Sequence, residues 1–222
     1  MVRVARVSQR IDSISRTGNH GGDGLHGDDH PNPSVCPLAG PARRGNTARR
    51  DQRGGRRATG GPILMANHPV PTYIVQPFVG VAPVQFGMTR DEVRRVMPQE
   101  PTVFRKTPDS RHETDAFCAN AFQVFYGGER PTVEYIELSS DPALRVTYRD
   151  LDVFATPAQE VIAYVSRASE FDLSDPEIPY SYVFRSLQLS LWRPTAPSAD
   201  EPGEGRYFST IGIGRKGYYD SA

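Results

Sequence analysis

The stretch Phe86-Gly-Met-Thr-Arg-Asp-Glu-Val-Arg-Arg-Val-Met97 decides how this chain is read. Thr89 followed by Glu92 is a capping box. The threonine hydroxyl accepts from the amide three residues on, and the glutamate reaches back to the threonine amide. Met88 before the cap and Val93 beyond it are placed for a hydrophobic staple. Asp91 and Glu92 sit in the first turn, where the helix dipole favours negative charge. Val93, Val96 and Met97 follow helical spacing and give one apolar face. Pro98 ends the helix early.

The chain repeats this opening in Phe154-Ala-Thr-Pro-Ala-Gln-Glu-Val-Ile-Ala-Tyr-Val165. Without gaps, Phe86 falls on Phe154, Glu92 on Glu160 and Val93 on Val161. Thr156 and Gln159 form a second Thr-x-x-Gln box, and Pro157 takes the first helical position, where no amide is needed. The spacing predicts a helix over about 157–169. The alternative to a duplication is two ordinary capped helices that share three residues.

Strand signals follow each helix. Phe122 to Tyr126, the turn signal Gly127-Gly128-Glu129 and Thr132 to Leu138 read as a hairpin, because glycine takes positive φ at no steric cost. Ala116 to Ala119 is either a strand of its own or the start of one that continues through Tyr126. Leu144, Val146 and Tyr148 alternate with polar residues, as do Leu187, Leu189 and Leu191. Tyr180, Tyr182 and Phe184 share one face of another strand, and Tyr207 to Ile213 is the last. Ile63 to Val84 is proline-rich and reads as an extended lead-in rather than a central strand.

Charge divides the chain. Residues 1–60 hold 11 Arg and 5 Asp, about +6. The whole chain has 26 basic and 26 acidic residues, which leaves 15 and 21, about −6, for the rest. Residues 1–62 carry few aromatics and read as a disordered Arg/Gly/Pro-rich tail, with Met65 an alternative start for the working protein. Residues 63–222 read as the folded domain, its repeats at about 84–150 and 151–222. No run approaches the roughly 18 apolar residues of a membrane span. The two cysteines, Cys36 and Cys118, fall in tail and body. The expectation is therefore no structural disulfide and a cytoplasmic protein.

Motifs of chemistry are sparse. His20, Asp23, His26, Asp28, Asp29 and His30 cluster in a glycine-rich run with nothing to fix ligand geometry, so no metal is assigned. The arginines between Arg43 and Arg57 lack interleaved aromatics, so nucleic-acid contact is not expected, and that tail is the one segment that could make it. Gly212-Ile-Gly214-Arg-Lys-Gly217 matches a dinucleotide fingerprint literally. The helix, second strand and distal acid that such a site needs do not follow it. Its glycines read as close backbone approach at a sheet edge and a tight exit turn. Glu134 and Glu137 should face opposite sides of a strand. No catalytic residue and no cofactor is assigned. The residues read as partner-binding are Trp192, Arg193, Arg215, Lys216, Tyr218 and Tyr219, an aromatic and basic group at strand ends.

The Phe-Gly-Met-Thr-Arg-Asp-Glu-Val-Arg opening, a helix and then antiparallel strands, resembles the SmpA/OmlA (BamE-like) module, over about 86–138 and 154–213. Two in tandem are similar in arrangement to the β-lactamase inhibitory proteins. The resemblance implies an α+β fold, two helix-then-strands repeats forming one sheet with both helices on one face. It also implies protein binding rather than catalysis, of immunity or inhibitor type. The rival is a small enzyme or small-molecule-binding domain, whose cleft would join residues such as His112, Asp115, Glu134 and Arg193. The sequence leaves the oligomeric state open.

Overall fold

The structure, a computed structural model, describes residues 70–197, 203 and 205–220. The arginine-rich tail, its histidine cluster and the alternative start at Met65 lie outside the described residues.

The architecture is mostly β, and it corrects the expectation of one sheet with both helices on one face. Two sheets of five and seven strands are present, with two short helices. The smaller sheet contains β1 (Thr72–Gln76), β2 (Gly80–Val81), β3 (Val84–Gln85), β8 (Arg145–Tyr148) and β9 (Leu151–Asp152), in the order β3-β2-β1-β8-β9. The larger contains β4 (Thr102–Phe104), β5 (Thr114–Phe117), β6 (Phe122–Gly127) and β7 (Thr132–Ser139). It is completed by β10 (Ser181–Phe184), β11 (Leu189–Trp192) and β12 (Thr210–Gly214). Its order is β10-β11-β12-β7-β6-β5-β4, antiparallel throughout.

β1 is central in its sheet, not a lead-in. Its flanking prolines lie outside the strand, and the Pro71 carbonyl accepts from the Arg145 amide, so proline removes no ladder bond here. β1 pairs in parallel with β8, Tyr73 opposite Val146 and Val75 opposite Tyr148. The parallel pair closes a crossover that spans α1 and the first four strands of the larger sheet. Tyr73 then packs on Phe122 of β6, ring centroids 5.0 Å apart, which joins the two sheets in one core.

Helix α1 (Arg90–Val96) starts as its sequence requires. The Thr89 amide donates to Glu92 Oε2 at 2.8 Å and the Glu92 amide donates to Thr89 Oγ1 at 3.4 Å. Val93 and Met97 enter the core. Helix α2 (Ala158–Ser166) differs from expectation. Pro157 is its N-cap and no side chain caps it, so Thr156 does not. The Ala158 amide instead donates to the Arg206 carbonyl, a partner brought from a distant loop. Ala158, Val161, Ile162 and Val165 are buried.

The expectation of no structural disulfide is also corrected. Cys118 is disulfide-bonded, and Cys36, the only other cysteine in the sequence, lies outside the described residues. The inference from cysteine usage to a reducing compartment therefore lapses. Among the described residues, no helix is long and apolar enough to cross a membrane.

One ion cluster fixes α1 to the larger sheet. Asp115 on β5 has a side chain 0% exposed. It accepts from Arg90 (2.6 and 3.0 Å), from Arg94 (2.8 and 2.9 Å) and from the Tyr126 hydroxyl (3.2 Å). Arg90 also reaches Glu113 at 2.9 Å. Burial pushes the Asp115 carboxyl up, but the hydrogen bonds from Arg94 and Arg90 outweigh it, and the group is held below the usual carboxylate range. A depressed folded value means that stability is present above the unfolded value, near pH 4, and is lost as the pH falls below it. Removing one partner of such a buried pair costs about 3 kcal/mol or more. Asp115→Ala is expected to lower the unfolding free energy by that amount in urea at pH 7. Asp115→Asn is expected to flatten the loss of stability below about pH 4. An Asp115→Ala variant as stable as the wild type would contradict the account of this cluster.

Candidate functional site

Strand pleating sorts the larger sheet into two faces. Val124, Ile136, Ile213 and Leu189 stand opposite one another across the central strands and are 0% exposed. The next row is Gln123, Glu137, Gly212 and Ser190. It lies on the outer face and is polar. Phe125, Tyr135 and Trp192 share that face by register.

The segment Arg215–Asp220 turns back over this face. Tyr218 stacks on Tyr135 at 4.7 Å and 13°, and Tyr219 meets both rings edge-on. The Tyr219 hydroxyl donates to Ser190 Oγ at 2.8 Å and its amide donates to Gln188 Oε1 at 2.8 Å. Gln188 Nε2 holds Asp220 at 2.9 Å. Two glycines make the overlay fit. A Cβ on Gly212 would overlap the Tyr135 hydroxyl, and one on Gly214 would overlap the Tyr218 ring. Close backbone approach is thus what these glycines provide, but β12 is an interior strand of its sheet, not an edge. Burial pushes the Tyr135, Tyr218 and Tyr219 phenols above their ordinary value, with the neighbouring Glu137 carboxylate adding to the rise.

Glu137 is buried on the same face. Lys106 Nζ donates to its Oε2 at 2.9 Å and lies 4.4 Å from the Phe125 ring centroid. Glu137 Oε1 has no hydrogen-bond partner among the described residues.

At the hairpin end of β6 and β7, a cleft of about 280 Å³ opens between Arg111, His112, Phe125, Gly127, Glu134 and Tyr218. A register shift builds it. Phe125 pairs with Tyr135 but Tyr126 pairs with Val133, so Glu134 is an extra residue. Bulges of this kind re-aim side chains. Glu134 reaches the Phe125 and Tyr218 side, and so do the groups around Glu137. The two carboxylates therefore do not face opposite sides, as strict alternation required.

The partner-binding residues read from sequence are divided by the structure. Trp192, Tyr218 and Tyr219 share the outer face and are half-buried, and Arg215 and Lys216 are exposed beside them. Arg193 is 1% exposed and points away from that group. It donates to the Pro179 carbonyl at 2.9 Å and the Gly205 carbonyl at 2.6 Å, and lies 5.9 and 5.5 Å from the Tyr182 and Phe208 ring centroids. Of the residues named for a catalytic cleft, His112 and Glu134 meet in one cleft. Asp115 is saturated beneath α1, and Arg193 belongs to the core near Tyr182. Lys106, Phe125, Tyr135, Glu137 and Ser190 were not read as site residues. The alternation of Tyr135 and Glu137 with Ile136 and Leu138 was the available signal for two of them. No group of three His, Cys, Asp or Glu side chains among the described residues is placed to hold a metal ion.

No protein-family model, curated protein or solved structure matches the chain.

Gly212→Ala is expected to destabilise the protein by about 1–3 kcal/mol, the usual cost of overpacking. In a Tyr135→Ala background the same change should cost far less, because the overlapping hydroxyl is gone. Urea unfolding of the four proteins of this cycle measures the difference. Equal costs in both backgrounds would show that Tyr135 does not cross Gly212.

Proposed function

We propose that this chain is a non-enzymatic protein-binding module, of immunity or inhibitor type, that uses the outer face of its seven-stranded sheet. The observation that carries the reading is the clustering of Trp192, Tyr219, Tyr218, Tyr135 and Phe125 on one face of a continuous hydrogen-bonded sheet, with the exposed cations Arg215 and Lys216 beside them. Half-buried aromatics on rigid backbone lose little entropy on docking, and Trp, Tyr and Arg dominate measured binding hot spots. The rival, a small-molecule or catalytic role, is favoured by one feature only, the cleft holding His112 and Glu134. Glu134 is the one acid among the residues that line it, and the Ser110 hydroxyl there is hydrogen-bonded to Thr107.

The test is affinity capture from native lysate with the full chain as bait, followed by Kd measurement on the captured protein. Trp192→Ala and Lys216→Glu leave the core untouched. A hot-spot truncation costs about 2 kcal/mol or more, so Trp192→Ala should weaken binding roughly 30-fold. A partner held equally by wild type and both variants would remove the outer face from consideration. A folded chain that retains no partner would move the weight to the cleft.

A further inference from the structure

The cleft at the β6–β7 hairpin has chemistry of its own. Glu134 is the extra residue of the bulge, and its carboxylate lies over Gly127, which pairs with Thr132, in the space that a Cβ there would fill. Strand irregularity and glycine together aim this carboxylate along the cleft wall. Its nearest cation is Arg215, whose Nε stays 3.7 Å from Oε2, beyond hydrogen-bond distance. His112 Nε2 lies 2.9 Å from the Gly128 carbonyl oxygen. A carbonyl only accepts, so the ring donates there, and in the neutral ring Nδ1 keeps its lone pair. The wall thus offers the Glu134 carboxylate as an acceptor, and Phe125 and Tyr218 supply aromatic surface.

A carboxylate beside an aromatic ring is a setting for a cation. The protein uses the combination once already on this face. Lys106 is held between Glu137 (2.9 Å) and the Phe125 ring (4.4 Å). Arg111 also lines the cleft, but it is exposed and sits at the rim, while Glu134 and His112 are half-buried. Glu134 is therefore the one carboxylate of the lining, and an entering cation meets two like charges, Arg111 at the rim and Arg215 beside the carboxylate.

The geometry points to this cleft as the receptor for the guanidinium or ammonium group of a basic side chain on the protein partner, held by Glu134 against Phe125 and Tyr218. The partner's identity as a protein rests on the functional reading above. Binding of the cationic group does not, and the two are separable by experiment.

The test is an NMR titration of the full chain with Nα-acetyl-arginine amide. Nα-acetyl-citrulline amide, its neutral isostere, is the control. The arginine probe should shift the Phe125, Gly127 and Tyr218 resonances, and citrulline should bind at least tenfold more weakly. Glu134→Gln should erase the difference between the probes while leaving distant amides in place. Arg111→Ala should tighten the arginine probe by removing like charge. Equal binding of citrulline, unchanged binding in Glu134→Gln, or no shift at these residues overturns the proposal. Weaker binding in Arg111→Ala overturns it too, since Arg111 would then hold the probe rather than repel it. If the probe fails but a Trp192-dependent partner is found, the cation site falls and the binding module stands. Probe binding without any captured partner has the reverse meaning.

Discussion

The fold hangs on the pairing of β7 with β12. β7 ends the run β4 to β7 and β12 ends the run β10 to β12, and the two runs meet in the interior of the seven-stranded sheet, Ile136 opposite Ile213 and Leu138 opposite Ile211. All four side chains are at most 1% exposed and belong to one core that also takes in both helices and the smaller sheet. Without this pair the sheet separates into a three-stranded and a four-stranded piece. Each would expose a row of unpaired backbone groups and half of the core, a liability that folded proteins avoid. The parallel pair of β1 and β8 adds a second long-range tie, on the other side of Tyr73 and Phe122.

The same pairing makes the outer face. Gly212 and Gly214 leave space above β12, and the large side chains on either side close it. Tyr135 crosses from β7, and Tyr218 and Tyr219 come over from the returning segment. The result is a tyrosine cluster with hydroxyls joined to Ser190, bordered by the Lys106–Glu137 pair. In the proposed function these rings serve both packing and binding. Their inner edges seal the sheet and their outer edges, half-buried with Trp192, form the surface on which the functional proposal stands. Arg193 shows the opposite outcome. Its Nε and Nη1 are held by backbone carbonyls between two aromatic rings inside the domain, and Nη2 is buried with no hydrogen-bond partner among the described residues.

Local signals in the sequence were legible where local chemistry decides structure. The Thr89–Glu92 box caps α1 as its spacing requires, and Gly127-Gly128 joins a hairpin. What stayed hidden depended on residues far apart. Asp115 reads as an acid of a candidate cleft until Arg90 and Arg94, 25 and 21 residues upstream, bind its carboxylate beneath α1. The β5–β6 turn uses Cys118, Ala119 and Asn120, all at positive φ (52°, 51° and 74°), with no glycine to announce it. The cap of α2 is the Arg206 carbonyl, so the Thr156 motif was present and unused. The bulge at Glu134 broke the alternation from which its direction was read. The single sheet implied by the resemblance failed for a related reason: β1 pairs across the chain with β8, and no local pattern encodes a parallel partner.

Native-state hydrogen exchange tests the central claim, that β7 and β12 form one cooperative unit. Amides of Ile136, Leu138, Ile211 and Ile213 that face the pairing should exchange only by global unfolding, with one common free energy and one common denaturant dependence. Exchange of the β12 amides through a smaller opening, while the β7 amides stay protected, would show that the two runs of strands fold separately and that the continuous sheet does not hold the molecule together.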